Sequence, residues 1–442
     1  MDFGREGACS VPAMWRKTTR PTSMLESIAL RIGSAAMGTL RPGEGFSLDG
    51  TLGANYKLRT LFGAKKVGNR MRMCRAAAAG AIVLVLASAI GAQAKRKVII
   101  DQDARGPATT DQQAILMLVQ SPDVEPLGIT VVSGDQWRDE EVLHTLRTLE
   151  IIGRADIPVV PGAIFPLINS KEEIARWETI YGKVNYQGAW DRQKRPASGG
   201  NPAHDKYFGP FEIPPILEGM PATKPLEEDA AHFIIRMVHK YPGEVTIYAG
   251  GPLTNLALAI AIDPKLPELA EELVVMGGSV SPVVPAEWAM SNRREFNFWW
   301  DPEAVHVVLR APWKKITVTT VDISVKTRLT KATIAEIGKS TAPAAQYIAK
   351  YADEEYMWDE LAAGAWLEPG IITKEQTVYM DIDISHAAGY GNTLTWAPGS
   401  QPGLGEQPVH MLLDLDAEKF YRLFEKLMMQ PAAGSHAVHG DN

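Results

Sequence analysis

The sequence predicts an α/β protein built on a mainly parallel, open sheet that is flanked by helices. From residue 97 onward, short apolar runs alternate with segments of helical periodicity. The apolar runs are continuous, which is typical of strands buried on both faces of a parallel sheet. No internal repeat and no Ser- or Gly-rich linker divides this part of the sequence, so we predict one domain over residues 95–430.

The predicted elements follow one another in a regular order. Strands are predicted at KVIID (97–101), EPLGITVVSG (125–134), IPVVPGA (157–163), EVTIYAG (244–250), ELVVMGGSV (272–280) and KKITVTTVD (314–322). Helices are predicted at 111–121, 139–153, 227–240, 252–262 and 301–311, and the chain from 330 to 367 is predicted to be helical. Two further strands, 377–384 and 407–415, and a last helix, 416–428, complete the domain.

A long surface insertion interrupts this alternation between residues 165 and 224. The segment is rich in Pro, Gly, Trp and Tyr, and only 171–181 has the pattern of a helix. Loops of this length are usually functional or mobile. The insertion is therefore expected to contribute to a binding site or to move.

Residues 71–94 have the layout of a secretory signal. Arg70, Arg72 and Arg75 surround its start, an apolar run covers 76–90, and a small-residue cleavage site ends at Ala94. An apolar run of roughly 15 residues is short for a membrane span, which takes ~20. We therefore predict export to the periplasm or the exterior, with no stable membrane partner after cleavage. The alternative is an internal signal anchor that holds the domain at a membrane.

The two ends of the chain are predicted to lie outside the folded domain. Residues 1–70, which are mixed in composition, are expected to be a non-native or disordered extension caused by a start codon placed too far upstream. The tail, 431–442, is expected to be disordered. Both cysteines, Cys9 and Cys74, precede the predicted cleavage, so neither a disulfide nor a cysteine metal site is expected in the mature chain.

The charge of the chain favours a small-molecule partner. The net charge is −7 and the pI is about 5.8, without a long basic run. A nucleic-acid groove requires clustered Lys and Arg. We therefore expect no nucleic-acid partner.

Three aspartates stand where the first strand passes into the first helix, in VIIDQDARGPATTDQQAIL. Ligands of open α/β sheets bind beyond the carboxyl ends of the strands, where Asp101 and Asp103 would share one face. Asp111 can return to the same place from the start of the helix. Carboxylates gathered there repel one another unless a cation is present, and an all-oxygen set suits Ca²⁺ or Mg²⁺. The alternative is that Asp111 caps the helix and Asp101 forms a turn.

Four segments, in order, resemble motifs of the nucleoside hydrolase family, the inosine-uridine preferring N-ribohydrolases. They are VIIDQD with TDQQAIL, AGGPLTNLALAI, VVMGGSV with EFNFWWDPEAV, and WDELAAGAWL. The resemblance extends from residue 97 to about 428. It implies hydrolysis of the N-glycosidic bond of a nucleoside or related ribosyl compound, and it leaves a homo-oligomer open.

The resemblance also implies a Ca²⁺ site and a role for each ligand. The ligands would be Asp103, Asp111, the carbonyl of Gly250 and Asp359, completed by water and the ribose hydroxyls. Asp103 would also accept a proton from the attacking water. Asp101 would position its neighbours from behind.

The EFN motif implies sugar contacts. Glu295 and Asn297 match family residues that hydrogen-bond ribose hydroxyls, and the alternative is a capping role ahead of the next helix. Asp301, which precedes Pro302, is interpreted as the start signal of that helix.

The sequence departs from the family pattern around the expected substrate. Thr110 replaces an aspartate that normally contacts the ribose, and Asp135 is expected to compensate or to cap a helix. Arg105 could pair with the carboxylates or with an anionic group of the substrate. Trp358 replaces a histidine that protonates the leaving base, so the base is expected to stack on Trp358 or Trp137, unless both belong to the core.

Two other functions are compatible with these residues. A noncatalytic ribose- or carbohydrate-binding protein on the same fold is suggested by Thr110, Trp358 and the aromatic insertion. A phosphatase of the aspartyl-phosphate kind also begins with a strand and DxD. That chemistry needs a lysine and a second acidic pair late in the sheet, where this chain has WDELAA.

Overall fold

The computed structural model of the chain describes residues 94–184, 186–190, 208–281 and 294–430. The predicted extension, almost all of the predicted signal segment and the predicted tail lie outside these residues. In the part that is described, no helix is long and apolar enough to cross a membrane.

The strands of the described residues form a large sheet and a small one. They are β1 (Arg96–Gln102), β2 (Val124–Val131), β3 (Val159–Pro161), β4 (Val245–Ala249), β5 (Glu272–Met276), β6 (Ile316–Thr319), β7 (Arg328–Leu329), β8 (Glu355–Tyr356), β9 (Ile372–Ile382), β10 (Thr393–Trp396) and β11 (Pro408–Leu415). The large sheet has the order β10, β9, β11, β6, β5, β4, β1, β2 and β3, and β7 pairs with β8.

The helices alternate with these strands. They are α1 (Thr110–Gln120), α2 (Arg138–Ile151), α3 (Lys171–Tyr181), α4 (Ala230–Lys240), α5 (Thr254–Ile262), α6 (Leu266–Leu269), α7 (Phe296–Trp300), α8 (Pro302–Arg310), α9 (Val321–Ser324), α10 (Lys331–Ile337), α11 (Pro343–Tyr351), α12 (Trp358–Leu367) and α13 (Ala417–Met428). Within the described ranges, two short 3₁₀ turns lie at Gly188–Trp190 and Pro369–Ile371.

The large sheet is mainly parallel, which confirms the predicted fold class. Strand β1 pairs in parallel with β2 and with β4, and the parallel pairing continues through β5 and β6 to β11. At one edge β9 runs antiparallel to both β10 and β11. An antiparallel edge on an otherwise parallel sheet is common in large α/β domains.

The continuous apolar runs are explained by helices on both faces of the sheet. Successive residues of β1 point to opposite faces. Val98 and Ile100 join a core with Met117 of α1, whereas Ile99 joins a second core with Phe233 of α4. All of these side chains are buried. Burial of one such side chain contributes roughly 1.5–3 kcal/mol, and helices on both faces therefore favour an unbroken apolar run at Val98, Ile99 and Ile100.

One prediction of local structure differs from the structure. The predicted continuous helix at 330–367 is three helices, because Gly338 follows the end of α10 and Pro343 begins α11. The strand β8 then separates α11 from α12. By contrast, the helix predicted inside the insertion lies at Lys171–Tyr181, with the hydroxyl of Ser170 accepting from Glu173 N.

The strand order places a crevice beside β1. The chain proceeds from β1 to β2 and β3 on one side, whereas β4 lies on the other side of β1. Ligands of open α/β sheets bind beyond the carboxyl ends of the strands at such a reversal. The ends of β1 and β4 are therefore the place to look for a site.

Asp301 joins three elements next to this crevice. Its carboxylate caps α8 by accepting from Ala304 N at 3.1 Å, and it also accepts from Thr254 Oγ1 at 2.7 Å and from Leu167 N at 2.9 Å. Burial raises the pKa of Asp301 from 3.8 to about 6, although these hydrogen bonds oppose the shift. Its role is structural, as the Asp-Pro pair predicted.

The raised pKa of Asp301 predicts a pH-dependent effect of Asp301→Asn. The folded chain binds the proton more tightly than the unfolded chain, so this stabilisation is present at low pH and is lost as pH rises through about 6. Between pH 7 and pH 5 the unfolding free energy of the wild-type chain should gain about 1 kcal/mol relative to Asp301→Asn. Urea unfolding of both proteins at the two pH values measures this difference.

Asp229→Asn provides the matched control, because Asp229 also caps a helix. Its pKa is lowered, since hydrogen bonds from His232 outweigh the effect of burial. The stabilisation from Asp229 is present above 3.8, and its partner His232 can gain a proton as the pH falls, so Asp229→Asn reports the pH dependence of an exposed Asp–His pair against which the effect of the buried Asp301 is compared.

Glu150→Gln is the control without a histidine partner: burial would raise the pKa of Glu150, but hydrogen bonds from Thr223, Arg147 and Ala222 lower it to about 2. Its difference from wild type should be nearly the same at pH 5 and pH 7, and an equal pH dependence in Glu150→Gln and Asp301→Asn would contradict the raised pKa of Asp301.

Candidate active site

A cavity opens at the carboxyl ends of the central strands. The residues that line it come from the β1–α1 connection, the end of β2, the end of β5, α7 and the start of α12. Those used below are Asp103, Arg105, Thr110, Asp111, Asp135, Tyr186, Arg294, Glu295, Phe296, Asn297, Glu355, Trp358 and Asp359.

Asp103 lies just beyond β1, in a narrow space between two glycines. A Cβ atom at Gly134 would lie 2.1 Å from Asp103 Oδ2, and one at Gly251 would lie 2.7 Å from Oδ1. Asp135 N donates to Oδ2 at 2.9 Å. Burial raises the pKa of Asp103 well above its ordinary value, and the charges of Asp111 and Asp135 raise it further. The side chain is therefore held in one position, and its carboxylate is more basic than that of an ordinary aspartate.

Asp111 lies in the first turn of α1 and enters the same cavity. The N-cap of this helix is Thr109, so Asp111 is not its capping residue. Gln102 Nε2 donates to Oδ1 at 2.9 Å, and Thr109 Oγ1 donates to Oδ2 at 2.9 Å. The pKa of Asp111 is raised well above its ordinary value by burial and by the charge of Asp359.

Asp359 brings a third carboxylate from a distant part of the chain. It lies in the first turn of α12, and its backbone carbonyl accepts from the hydroxyl of Tyr248 at 2.9 Å. Thr110 Oγ1 donates to Oδ2 at 3.1 Å, whereas Oδ1 is buried without a hydrogen-bond partner among the described residues. Burial and the neighbouring Glu360 raise the pKa of Asp359 well above its ordinary value.

Thr110 and Glu360 together form a contact that the sequence did not predict. The hydroxyl of Thr110 bonds Glu360 as well as Asp359, and it accepts from Asp359 N at 3.1 Å. Glu360 is buried. Thr110, where the family resemblance implied an aspartate, therefore lies beside the carboxylate of Glu360 on α12. The sequence could have indicated Glu360, because it is an acidic residue directly after Asp359 at the start of an apolar helix.

Gly250 and Asn297 contact each other. Asn297 Nδ2 donates to the carbonyl of Gly250 at 2.7 Å, so the expected ligand carbonyl and the expected sugar-binding amide share one hydrogen bond. A Cβ atom at Gly250 would lie 1.8 Å from Gln102 Oε1 and 2.9 Å from Asp359 Oδ1. Only glycine lets β4 end this close to both side chains.

Glu295 is the N-cap of α7 and also lines the cavity. Its carboxylate accepts from Asn297 N at 2.9 Å, Phe298 N at 3.1 Å and Gly278 N at 2.9 Å. Burial raises the pKa of Glu295 to about 7, against the effect of these hydrogen bonds. Glu295 therefore caps α7, as the alternative interpretation of the EFN motif predicted, and its side chain also lines the cavity.

Asp135 connects the insertion to the β1–α1 connection. Its Oδ1 accepts from the hydroxyl of Tyr186 at 2.6 Å, and Arg105 Nη1 lies 3.4 Å from its Oδ2. Both partners line the cavity. Arg105 therefore pairs with a carboxylate, one of the two possibilities for that residue. The sequence did not predict that Tyr186 belongs to the site. The aromatic content of the insertion was the feature that could have indicated it.

The two tryptophans expected near the base are in different environments. Trp358 lines the cavity and packs against Tyr356 at 5.0 Å between ring centroids. Trp137 is buried in an aromatic cluster with Trp300, and its Nε1 donates to the carbonyl of Phe208 at 2.9 Å. Trp137 is not among the cavity-lining residues, so only Trp358 is placed to stack on a ligand there.

Asp101 lies behind the cavity rather than in its wall. The side chain is fully buried, and Oδ1 accepts from Asn255 Nδ2 at 2.8 Å and from the hydroxyl of Thr130. Burial raises the pKa of Asp101 to about 6. Asn255 also accepts from Ala163 N, so Asp101 helps to fix the ends of β1, β2 and β3 together.

The donor set fits a hard cation in its chemistry. The carboxylates of Asp103, Asp111 and Asp359 face one cavity, they raise one another's pKa, and Asp359 Oδ1 is buried without a donor among the described residues. These are oxygen ligands of the kind that Ca²⁺ prefers. Within the described ranges, however, no three Asp, Glu, His or Cys side chains are grouped as closely as a metal centre requires. The carboxylates are instead held by hydrogen bonds to neutral protein groups.

An open parallel sheet with buried carboxylates at its strand-order reversal is typical of α/β proteins that bind a small molecule there. The family model described as inosine-uridine preferring nucleoside hydrolase matches residues 98–422. The chain belongs to this family of metal-dependent hydrolases. It is therefore a hydrolase that acts on the N-glycosyl bonds of nucleosides.

Individual relatives agree with this assignment. Over 355 residues the chain is 29% identical to uridine nucleosidase 1 of Arabidopsis thaliana, a match that covers 76% of this chain and 94% of that protein. It is 27% identical to the inosine-uridine preferring nucleoside hydrolase of Leishmania major, covering 74% and 96%. The solved structure of the plant nucleoside hydrolase PpNRh1 matches with a TM-score of 0.59 at 24% identity, covering 76% and 99%, and supports the fold.

The close approach at Gly250 predicts that Gly250→Ala destabilises the chain. The added Cβ would clash with Gln102 and approach Asp359, and overpacking of this kind costs about 1–3 kcal/mol. Thermal and urea unfolding would measure the loss. Gly370→Ala is the matched control, because nothing lies within 4 Å of a Cβ atom there. Equal stability of the two variants would contradict the described packing at Gly250.

Proposed function

We propose that this protein catalyses a calcium-dependent hydrolysis of a ribonucleoside, in which Asp103 is the general base. The observation that carries the proposal is that Asp103, Asp111 and Asp359, from the start and the end of the domain, line one cavity. Hydrolysis of an N-glycosyl bond adds water to C1′ of the ribose and releases the base. The steps below derive what the residues of this cavity contribute.

Asp103 is suited to accept the proton of the attacking water. It lines the cavity beside Asp111 and Asp359, so its carboxylate can take a proton from a water that is held there. The hydrogen bond from Asp135 N and the two flanking glycines fix its direction. Because the carboxylate is already positioned, the reaction does not have to include the entropic cost of ordering it.

The surrounding carboxylates favour the charge that develops on the sugar. Cleavage of a glycosidic bond passes through an oxocarbenium-like state, with positive charge on C1′ and the ring oxygen. Asp103, Asp111 and Asp359 supply negative charge from buried positions, where electrostatic interactions are stronger than in water. The neutral substrate gains less from this charge than the transition state does.

Glu295, Asn297 and Trp358 are proposed to orient the substrate. Glu295 and Asn297 present polar atoms to the cavity, where ribose hydroxyls would bind. The ring of Trp358 offers a face for stacking of the base. Asp135 provides a further acceptor at the cavity wall.

Asp103, Asp111, Asp359 and the Gly250 carbonyl would hold the cation. When bound, Ca²⁺ would supply positive charge that acidifies a neighbouring water and orients the sugar hydroxyls. Binding would also relieve the repulsion between the carboxylates. The all-oxygen donor set supports a hard cation over a transition metal.

The names of the relatives guide the choice of substrate and location. The Arabidopsis thaliana relative is a uridine nucleosidase and the Leishmania major relative prefers inosine and uridine, so we propose uridine and inosine as first substrates. Export to the periplasm or the exterior is proposed from the signal-like segment at 71–94.

Asp103→Asn is expected to abolish most of the hydrolysis. Loss of a general base lowers kcat by about 10²- to 10⁴-fold, and KM for uridine should rise as well, because Asp103 is also proposed to hold the cation that orients the ribose. Release of uracil under single-turnover conditions would measure the effect. Asp353→Asn, an exposed aspartate outside the cavity, is the control. An Asp103→Asn protein with kcat near that of wild type would contradict the role of Asp103.

Calcium is expected to bind and to stabilise the folded chain. A ligand at 100 times its dissociation constant adds about 2.7 kcal/mol to the unfolding free energy. Calorimetric titration of chelator-treated protein with Ca²⁺, and the rise of the melting temperature, would measure binding independently of activity. Asp111→Asn and Asp359→Asn should lose both signals, and Asp353→Asn should keep them. Unchanged calcium binding in Asp359→Asn would place the ion elsewhere.

A further inference from the structure

The loop between β1 and α1 is fixed by side chains from other elements. Gln112 Nε2 donates to the carbonyl of Ala104 at 2.8 Å, and Gln113 Nε2 donates to the carbonyl of Ala108 at 2.8 Å. From outside, Tyr347 accepts from Ala108 N at 2.9 Å. These hydrogen bonds give the loop one conformation although it has no regular structure.

Arg105 is the residue that this loop presents to the cavity between Asp103 and Thr110. Its side chain is 15% exposed, and Nη1 lies 3.4 Å from Asp135 Oδ2. Asp135 is in turn held by the hydroxyl of Tyr186 at 2.6 Å. A permanent cation is thus fixed at the wall of a cavity whose other charged groups are mostly carboxylates.

The chemistry of the proposed reaction requires a group that stabilises the leaving base. When the bond from C1′ to the base breaks, its electron pair remains on the base nitrogen. No histidine and no lysine is among the described residues that line the cavity. The hydroxyl of Tyr186 is directed to Asp135. Arg105 and Arg294 are the remaining cationic groups in the wall.

Arg294 is committed to a different structural role. Its Nε donates to the carbonyl of Tyr390 at 2.8 Å, and Nη2 donates to the carbonyl of Ala388. The guanidinium also lies 4.2 Å from the ring centre of Trp177. These contacts hold a loop of the domain in place, whereas Arg105 pairs with Asp135, which itself lines the cavity, so Arg105 is the better placed of the two.

We propose that Arg105 stabilises the departing base, in place of a proton donor, by hydrogen bonding to a carbonyl oxygen that shares the negative charge. This role rests on the proposed function. The bond from C1′ to the base nitrogen breaks, the water oxygen bonds to C1′, and Asp103 takes the proton of the water. The anionic base then takes a proton from solvent. Arg105 remains protonated throughout, as a guanidinium does in proteins.

This mechanism selects a chemical class of substrate. A 2-oxopyrimidine such as uracil can place the charge of its anion on the oxygen beside the cleaved bond. Adenine has no such oxygen and departs more readily when a ring nitrogen is protonated. Nucleosides of 2-oxopyrimidines are therefore the favoured substrates, and adenosine is the disfavoured one.

The test compares two leaving groups in Arg105→Ala. Uridine needs stabilisation of its base, whereas 4-nitrophenyl β-riboside has a leaving group that is already stable as an anion. Removal of one donor to a developing oxyanion costs about 10²- to 10³-fold in kcat, so uridine hydrolysis should fall by about 100-fold. Hydrolysis of the nitrophenyl riboside should fall by less than about 5-fold, since its transition state does not use this donor.

Two further variants complete the experiment. Arg105→Lys keeps the charge without the planar fork, and its activity on uridine should lie between those of the wild-type and alanine proteins. Arg138→Ala is the matched control, because Arg138 is a half-buried arginine that pairs with Asp139 outside the cavity. It should change both rates by the same small factor.

The outcomes separate the two proposals. Equal losses on uridine and on the nitrophenyl riboside in both Arg105 variants would overturn the role of Arg105 while the proposed hydrolysis stands. Release of neither uracil nor 4-nitrophenol by the wild-type protein would overturn the proposed function itself. A loss confined to uridine would support the role of Arg105, since a merely structural defect would lower both rates.

Discussion

The concentration of buried carboxylates beside β1 is the constraint on which the rest of the site depends. Burial of an ionised carboxylate is costly unless it is hydrogen-bonded or paired with a cation. The chain meets part of this cost with neutral donors: Gln102 and Thr109 bond Asp111, Thr110 bonds Asp359, and the backbone of Asp135 bonds Asp103. A site that holds several acidic groups in this way is prepared for positive charge, from an ion or from the sugar in the transition state.

The sheet makes this concentration possible because β1 and β4 are neighbours whose connections run in opposite directions. Their carboxyl ends therefore open into one crevice, and glycines reduce the space that the backbone needs there. At Gly134, Gly250 and Gly251 a Cβ atom would overlap a side chain of the site. The same positions that look like simple turns in the sequence thus decide how close the carboxylates can approach the strand ends.

Around this acidic centre, several residues differ from those that the resemblance of the sequence implied. Trp358 stands where a histidine was expected, and Arg105 and Tyr186 come from a long loop and from the insertion. On the sugar side, Thr110 bridges Asp359 and Glu360 in place of a carboxylate. The fold belongs to the family, whereas the roles of the acidic centre and of Arg105 are proposals for this chain.

The sequence by itself determined the alternation of strands and helices, the parallel sheet and the identity of the acidic residues, because these follow from periodicity and from local motifs. It also located the helix at Lys171–Tyr181 inside the insertion. Only the tertiary structure decided that Asn297 bonds the Gly250 carbonyl, that Trp358 rather than Trp137 lines the cavity, and that Glu360 joins the site. Such contacts join residues far apart in the sequence, and they depend on how helices pack on the sheet, which local patterns do not encode.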